Sequence, residues 1–404
     1  MLAAATLVLC AGSRRAAAQQ PVTRADAHRA ALAAGPRIAL ARADTAAARA
    51  ALITAKALPN PSLAATYSQS PPQQHLILDI PVDVPWSRGP RVSAANAAAR
   101  AARLRFLSAR TAAAIEVDTA YTMALAAQAR FRLSRQTARD ADSLRLMTAA
   151  RRDAGDASEL DVDLATITAG QQLNVVAADS LAYMNTVLTV QTLMGIAADS
   201  SAIVLVDSLR IVSGETGAPS AGATVAVATP SILAAEASLQ AAELAVTREH
   251  RSVFISPSLQ LGVEWGDPGT GNPNRSLPLI GVSLPLPLLN RNQGAIAQAR
   301  AERDRARADL SVTRLLVRQR LIEGLRERES LRARVARDQD LVVRAERVAA
   351  RSLTAYREGA SALPAVLEAR RAAREVLGQY IDDVAALLTV ESELRALTET
   401  VPPR

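Results

Sequence analysis

The sequence predicts a mainly α protein with a small β part, built as two structural repeats that each supply two β-strands and one long helical hairpin. Three observations predict it. Pro61-Ser62-Leu63 and Pro257-Ser258-Leu259 each open a short strand pair that leads into a very long helical stretch. From Val92 to Ala154 there is neither Gly nor Pro, and Ala295 to Glu358 repeats the design with Gly324 as its one interruption. The chain is 49% apolar but only 2% aromatic, so small Ala, Leu and Val side chains dominate, which suits close helix packing better than a thick globular core.

The first eighteen residues read as an export signal: an apolar stretch to Gly12, then Ala16-Ala17-Ala18 at the cleavage positions. Cys10, the only cysteine, is either removed with this segment or acylated, and no disulfide is expected. The first repeat is placed at 19–228. Thr23 to Ala57 has a helical pattern broken at Gly35-Pro36, and Pro59-Asn60-Pro61 stops it. Strands follow at about 62–69 and 75–84, joined by Pro71-Pro72-Gln73-Gln74. The helical hairpin occupies 92–194 and reverses at Gly155; roughly 60 residues of helix would span about 90 Å. A Ser-, Gly- and Thr-richer connector at 197–228 carries one apolar piece, Ala202 to Val206.

The second repeat, 229–404, carries strands at about 258–265 and 277–286 around a turn that begins at Gly266-Asp267-Pro268. Its hairpin, 295–400, reverses at Gly359. Leu310, Val317, Leu321 and Leu325 fall at coiled-coil spacing. Arg152-Asp153-Ala154-Gly155 is answered by Arg357-Glu358-Gly359.

The net charge of +8 is carried by arginine, since Lys56 is the only lysine. Between Arg300 and Arg351 these arginines alternate with acids, which describes a solvated helix face and argues against a nucleic-acid partner. His28, His75 and His250 are far apart and no Cys accompanies them, so no metal site is expected. Gly266, Gly269 and Gly271 sit in a hairpin turn with no Lys-Ser/Thr and no following helix, so they form no phosphate loop. No catalytic grouping or cofactor is expected, and the chain reads as a non-enzyme.

No window is long and apolar enough for a membrane-spanning helix. Four strands cannot close a membrane barrel alone, because an open edge in lipid leaves backbone groups unpaired at several kcal/mol each. Either the strands lie outside a membrane or several copies share one barrel, two giving eight strands and three giving twelve. Tyr67, Trp86 and Trp265 lie in or beside the strands, as interfacial anchors or as ordinary strand aromatics.

The chain resembles the TolC-type outer-membrane efflux proteins, and is most similar to their metal-cation efflux branch. The residues that carry the resemblance are Leu58-Pro59-Asn60-Pro61-Ser62-Leu63, the segment Val282-Ser283-Leu284-Pro285-Leu286-Pro287-Leu288-Leu289-Asn290-Arg291-Asn292-Gln293-Gly294, and the turns at Gly155 and Gly359. The resemblance implies a homotrimer: a twelve-stranded barrel in the outer membrane of a Gram-negative-type bacterium, continued by an α-helical barrel in the periplasm. It further implies a passive duct in a tripartite system, joined through a periplasmic adaptor to an inner-membrane pump of the RND type, exporting metal cations or small toxic compounds.

Carried onto this sequence, the adaptor-facing tips are Gly155, Ser158, Leu160, Asp161 and Val162, with Gly359, Ser361, Leu363 and Val366 in the second repeat. Asp161 and Glu368 match positions of a pore-lining acidic ring. The rival reading is a periplasmic coiled-coil adaptor or scaffold without a barrel.

Overall fold

A computed structural model describes residues 20–197, 203–210, 229–253, 256–266, 269 and 275–398. The expected signal segment with Cys10, most of the connector and most of the turn after Gly266 lie outside the described residues. The elements in order are β1 (Gln20–Val22), α1 (Arg24–Ala34), α2 (Pro36–Lys56), β2 (Ser62–Tyr67), β3 (Gln74–Pro81), α3 (Pro85–Asp153) and α4 (Glu159–Met194). They continue with β4 (Ile203–Leu205), α5 (Pro230–Arg251), β5 (Ser258–Trp265), β6 (Leu277–Ser283), α6 (Gln293–Arg357) and α7 (Leu363–Thr398). The protein is mainly helical with a small sheet, as the duplicated pattern predicts.

The chain divides into two compact units: Met1–Pro36 with Ala112–Gly222 and Glu323–Ala396, and Arg37–Thr111 with Ala223–Ile322 and Leu397–Arg404. The first is a helical unit. One of its cores gathers Val22, Ala27, Ala31, Val117, Tyr121, Val187, Val190, Ile203 and Leu205 from α1, α3, α4, β1 and β4. Here β1 and β4 form a short parallel ladder that the sequence pattern did not suggest, three residues being too few to show alternation. Tyr121 locks it: its hydroxyl lies 2.9 Å from both the Val22 carbonyl and the Asp207 carboxylate, and the Arg24 amide donates to Asp207 at 2.7 Å. Burial, then the neighbouring Asp207, pushes the Tyr121 phenol well above its usual range. Thr23 and Asp26 form a capping box that starts α1. The break at Gly35-Pro36 has a packing cause, since a Cβ on Gly35 would meet the Leu193 carbonyl at 2.8 Å.

The second unit holds one antiparallel sheet in the order β2-β3-β5-β6. Each of its strands meets a proline on the side of the helices: Pro61 precedes β2, Pro81 ends β3, Pro257 precedes β5 and Pro285 follows β6. Proline has no N–H to give a ladder, so these residues sit at the strand ends, and beyond Pro81 one further bond joins the Val82 N–H to the Pro257 carbonyl at 2.8 Å. Three expected limits are corrected by the ladder. The first strand ends at Tyr67 and not at 69, the second at Pro81 and not at 84, and the fourth at Ser283 and not at 286. The first long helix starts at Pro85, ahead of the expected 92, and contains Gly89 and Pro90. Pro85 at the first helical position loses no bond, and its fixed φ favours the helix.

Candidate functional site

Register decides what each face of the sheet presents, because directly paired residues share a face. Leu63 pairs with Leu78, Leu78 with Leu261 and Leu261 with Ile280; the rows beside it join Leu76 to Val263 and Ile80 to Leu259 to Val282. One face therefore carries Leu63, Ala65, Tyr67, Leu76, Leu78, Ile80, Leu259, Leu261, Val263, Trp265, Pro278, Ile280 and Val282, with Gln74 as its only Asx/Glx-type or charged residue. Every charged residue of the strands is on the other face. There His75 Nδ1 lies 3.1 Å from Glu264 Oε1 across β3 and β5, and Ser258 donates to Asp79 at 2.7 Å.

The apolar face is open. Ile280 is 78% exposed and Val282 73%, a contiguous patch that would be a liability in water. Among the described residues the outer edges of β2 and β6 have no strand partner, and the strands of the sheet alternate in direction. Tyr67 and Trp265 stand opposite the two sides of Gln74 at the hairpin-turn end of the apolar face, while Trp86 lies at the helical end in the first turn of α3. Tyr67 and Trp86 are exposed and Trp265 is half-buried.

The two helical turns belong to the helical unit and share one backbone motif. Gly155 and Gly359 have φ of 85° and 76°, left-handed values that favour glycine. Asp156 N–H donates to the Arg151 carbonyl at 2.8 Å and Ala360 N–H to the Ala355 carbonyl at 2.8 Å, closing each helix in a Schellman motif. The side chains then differ. After Gly155, Ser158 and Asp161 form a capping box, with the Ser158 N–H donating to Asp161 at 3.1 Å. Asp161 thus has a structural task at the start of α4. Leu160 is exposed and Val162 half-buried.

After Gly359 the structure corrects an expectation. Leu363 and Val366 do not offer contact surface: both are buried in a core with Leu144, Ala165 and Tyr356. Their i, i+3 spacing turns one face of α7 inward. Ser361 is half-buried, whereas Gly359 is exposed. Tyr356 was not singled out by sequence, yet it joins the two turns. Its hydroxyl lies 3.1 Å from Thr148 Oγ1, its ring sits 4.7 Å from the Arg151 guanidinium carbon, and Arg151 donates to its carbonyl. Only the long-range register of α3 against α6 brings these residues together, so no local pattern reveals them.

Above the turns, α3, α4, α6 and α7 enclose an open cavity of about 840 Å³ lined by Leu144, Leu164, Leu353, Leu367, Glu368 and Arg370, among others. Glu368 is exposed and lies near Arg371, which pairs with Glu375 at 3.0 Å. Arg370 donates to the Asp140 carbonyl at 2.7 Å, and burial lowers its pKa. Among the described residues there is no cluster of His, Cys, Asp and Glu able to hold a metal, and no helix long and apolar enough to cross a membrane.

Comparison with known proteins adds a family match over part of the chain and a fold for nearly all of it. Residues 222–399 match the family described as Outer membrane efflux protein. No curated protein matches the sequence. The chain has the fold of solved outer-membrane channels. The outer membrane protein VceC of Vibrio cholerae is 17% identical with a TM-score of 0.75, covering 93% of this chain and 96% of that one. CusC is 16% identical with a TM-score of 0.75, covering 94% and 92%. The Campylobacter jejuni CmeC outer membrane channel is 16% identical with a TM-score of 0.76, covering 93% and 85%.

Proposed function

We propose that this chain, an outer-membrane-channel fold whose second half matches the outer membrane efflux protein family, is the outer-membrane duct of a tripartite efflux system. The observation that carries the reading is the four-stranded sheet: apolar on one face, charged on the other, and free at both edges. Such a sheet is stable in lipid only when its edges are closed. Its strands alternate in direction, so β6 of one copy meets β2 of the next antiparallel, and three copies close a twelve-stranded barrel with the apolar face outward. His75, Asp79 and Glu264 then line the lumen. Tyr67 and Trp265 sit at one membrane interface and Trp86 at the other.

The helices continue the duct into the periplasm. Gly155, Ser158, Leu160 and Gly359 form the exposed surface that a periplasmic adaptor meets, and Asp161 and Glu368 supply acidic rings in the threefold assembly. The duct performs no chemistry. An inner-membrane pump, of the RND type by resemblance, delivers its cargo of metal cations or small toxic compounds.

The test is extraction and cross-linking. Protein with cysteines at Leu63 and Val282 should require detergent, and a bifunctional thiol reagent should join it into a covalent trimer. A water-soluble species that stays single would overturn the duct and favour a periplasmic adaptor or scaffold.

A further inference from the structure

The hydrogen-bonded strands are short for the task just proposed. A strand crossing a bilayer needs about 9–11 residues at the usual tilt. β6 has 7 residues and β5 has 8. Beyond Ser283 the chain reads Leu284-Pro285-Leu286-Pro287-Leu288-Leu289, and Leu284, Leu286, Leu288 and Leu289 are exposed by 59, 65, 72 and 95%. We infer that this proline-spaced segment is itself a lipid-contacting surface, which completes the membrane wall on the side of the helices where the ladder has already ended. The inference rests on the barrel reading above and extends it to a stretch outside the sheet.

Three observations carry it. Alternation from Ile280 and Val282 puts Leu284 and Leu286 on the apolar face, and Val82, the next outward position after Ile80 on β3, is also exposed. Leu277 to Leu286 spans roughly 33 Å extended, or about 23 Å at a tilt near 45°, against an apolar band of about 25 Å. The ladder alone reaches only about 16 Å at that tilt.

Unpaired backbone is normally costly in lipid, and here the sequence removes much of the cost. Pro285 and Pro287 have no N–H, and the Leu288 N–H donates to the Leu286 carbonyl at 2.9 Å in a tight turn around Pro287. That turn ends the run. No charge occurs between Arg275 and Arg291, so the first cation stands just past the last leucine, where its head reaches the lipid headgroups.

The experiment places a nitroxide on single cysteines, Ile280→Cys, Leu284→Cys or Leu286→Cys, in a Cys10→Ala background. The protein is reconstituted in vesicles of phosphatidylethanolamine and phosphatidylglycerol. Collision rates with oxygen, which concentrates in acyl chains, are compared with those of a water-soluble nickel chelate. Oxygen should exceed nickel several-fold at all three positions. If Ile280 behaves so while positions 284 and 286 favour nickel, or are shielded from both reagents by a neighbouring copy, the inference fails and the barrel stands. If Ile280 also favours nickel, the barrel reading fails first.

Discussion

The two repeats reverse the chain with the same backbone at their helical turns, and they secure corresponding points with different side chains. At the junction from β3 into α3, the buried Asp83 carboxylate lies 2.8 Å from Arg91 and 3.6 Å from Arg88, and Arg91 also donates to the Ala55 carbonyl near the end of α2. At the junction from β6 into α6, Asn292 does the equivalent work without charge. It adopts φ of 61°, and its amide nitrogen lies 2.9 Å from Glu249 Oε2, 3.1 Å from the Glu249 carbonyl and 2.8 Å from Ser252. Both devices tie the start of a long helix to the end of a short one. The turns diverge likewise: a polar capping box follows Gly155, and a buried Leu363 and Val366 follow Gly359. Duplication has kept the places where the chain reverses, and the chemistry that secures them is replaceable.

This comparison breaks most visibly at the turns. Leu363→Ala should destabilise the helical unit by about 2–5 kcal/mol, whereas Leu160→Ala, at the exposed turn, should cost less than about 0.5 kcal/mol. Urea unfolding of detergent-solubilised protein, followed by helical circular dichroism, measures both. Equal effects would mean that the second turn is not packed as described.

The junctions come next. Asp83→Ala should cost about 2 kcal/mol, below the value for a fully buried pair because its arginines remain partly exposed. Asn292→Gly keeps the left-handed backbone and should cost about 1 kcal/mol, and Asn292→Ala should add about 1 kcal/mol of strain. The shared feature sharpens the contrast: Gly155→Ala and Gly359→Ala meet no close atoms in the way of a Cβ, so both should cost a similar ~1 kcal/mol from φ alone.

The smallest effect depends on pH. The Asn292 amide, and then Arg248, hold the Glu249 carboxyl below its usual pKa. A depressed carboxylate stabilises the fold above its unfolded pKa and loses that contribution as pH falls through the folded value. Glu249→Gln should therefore be less stable than the parent at neutral pH, and the gap should close on acidification below the ordinary glutamate range. Unfolding midpoints at several pH values test it; a gap independent of pH would remove the ionic part of the latch.

Much of this was legible because it rests on local chemistry. The prolines flanking Ser62 and Ser258, the glycines at 155 and 359, and the helical runs between them name their own positions. The expected strand ends run past the ladder where apolar residues continue, as at Leu284, while at Val82 a single further bond, its N–H to the Pro257 carbonyl at 2.8 Å, is the last across the sheet. Tyr356 with Thr148 and Arg151 was not legible, since the contact joins positions about two hundred residues apart. Asp161 shows a subtler miss. Ser158 three residues before it is the signal of a helix cap, and the acid accepts from the Ser158 hydroxyl at 2.7 Å and from the Ser158 N–H at 3.1 Å.

The ring of prolines has one more consequence. A sheet that stops because its packing runs out will shift its border with the surroundings, but one bordered by residues with no proton to share has little room to shift. In detergent, nanodisc or native bilayer, the frontier between strand and helix should stay within a residue or two of these prolines, a position written into covalent structure and not set by the solvent around it.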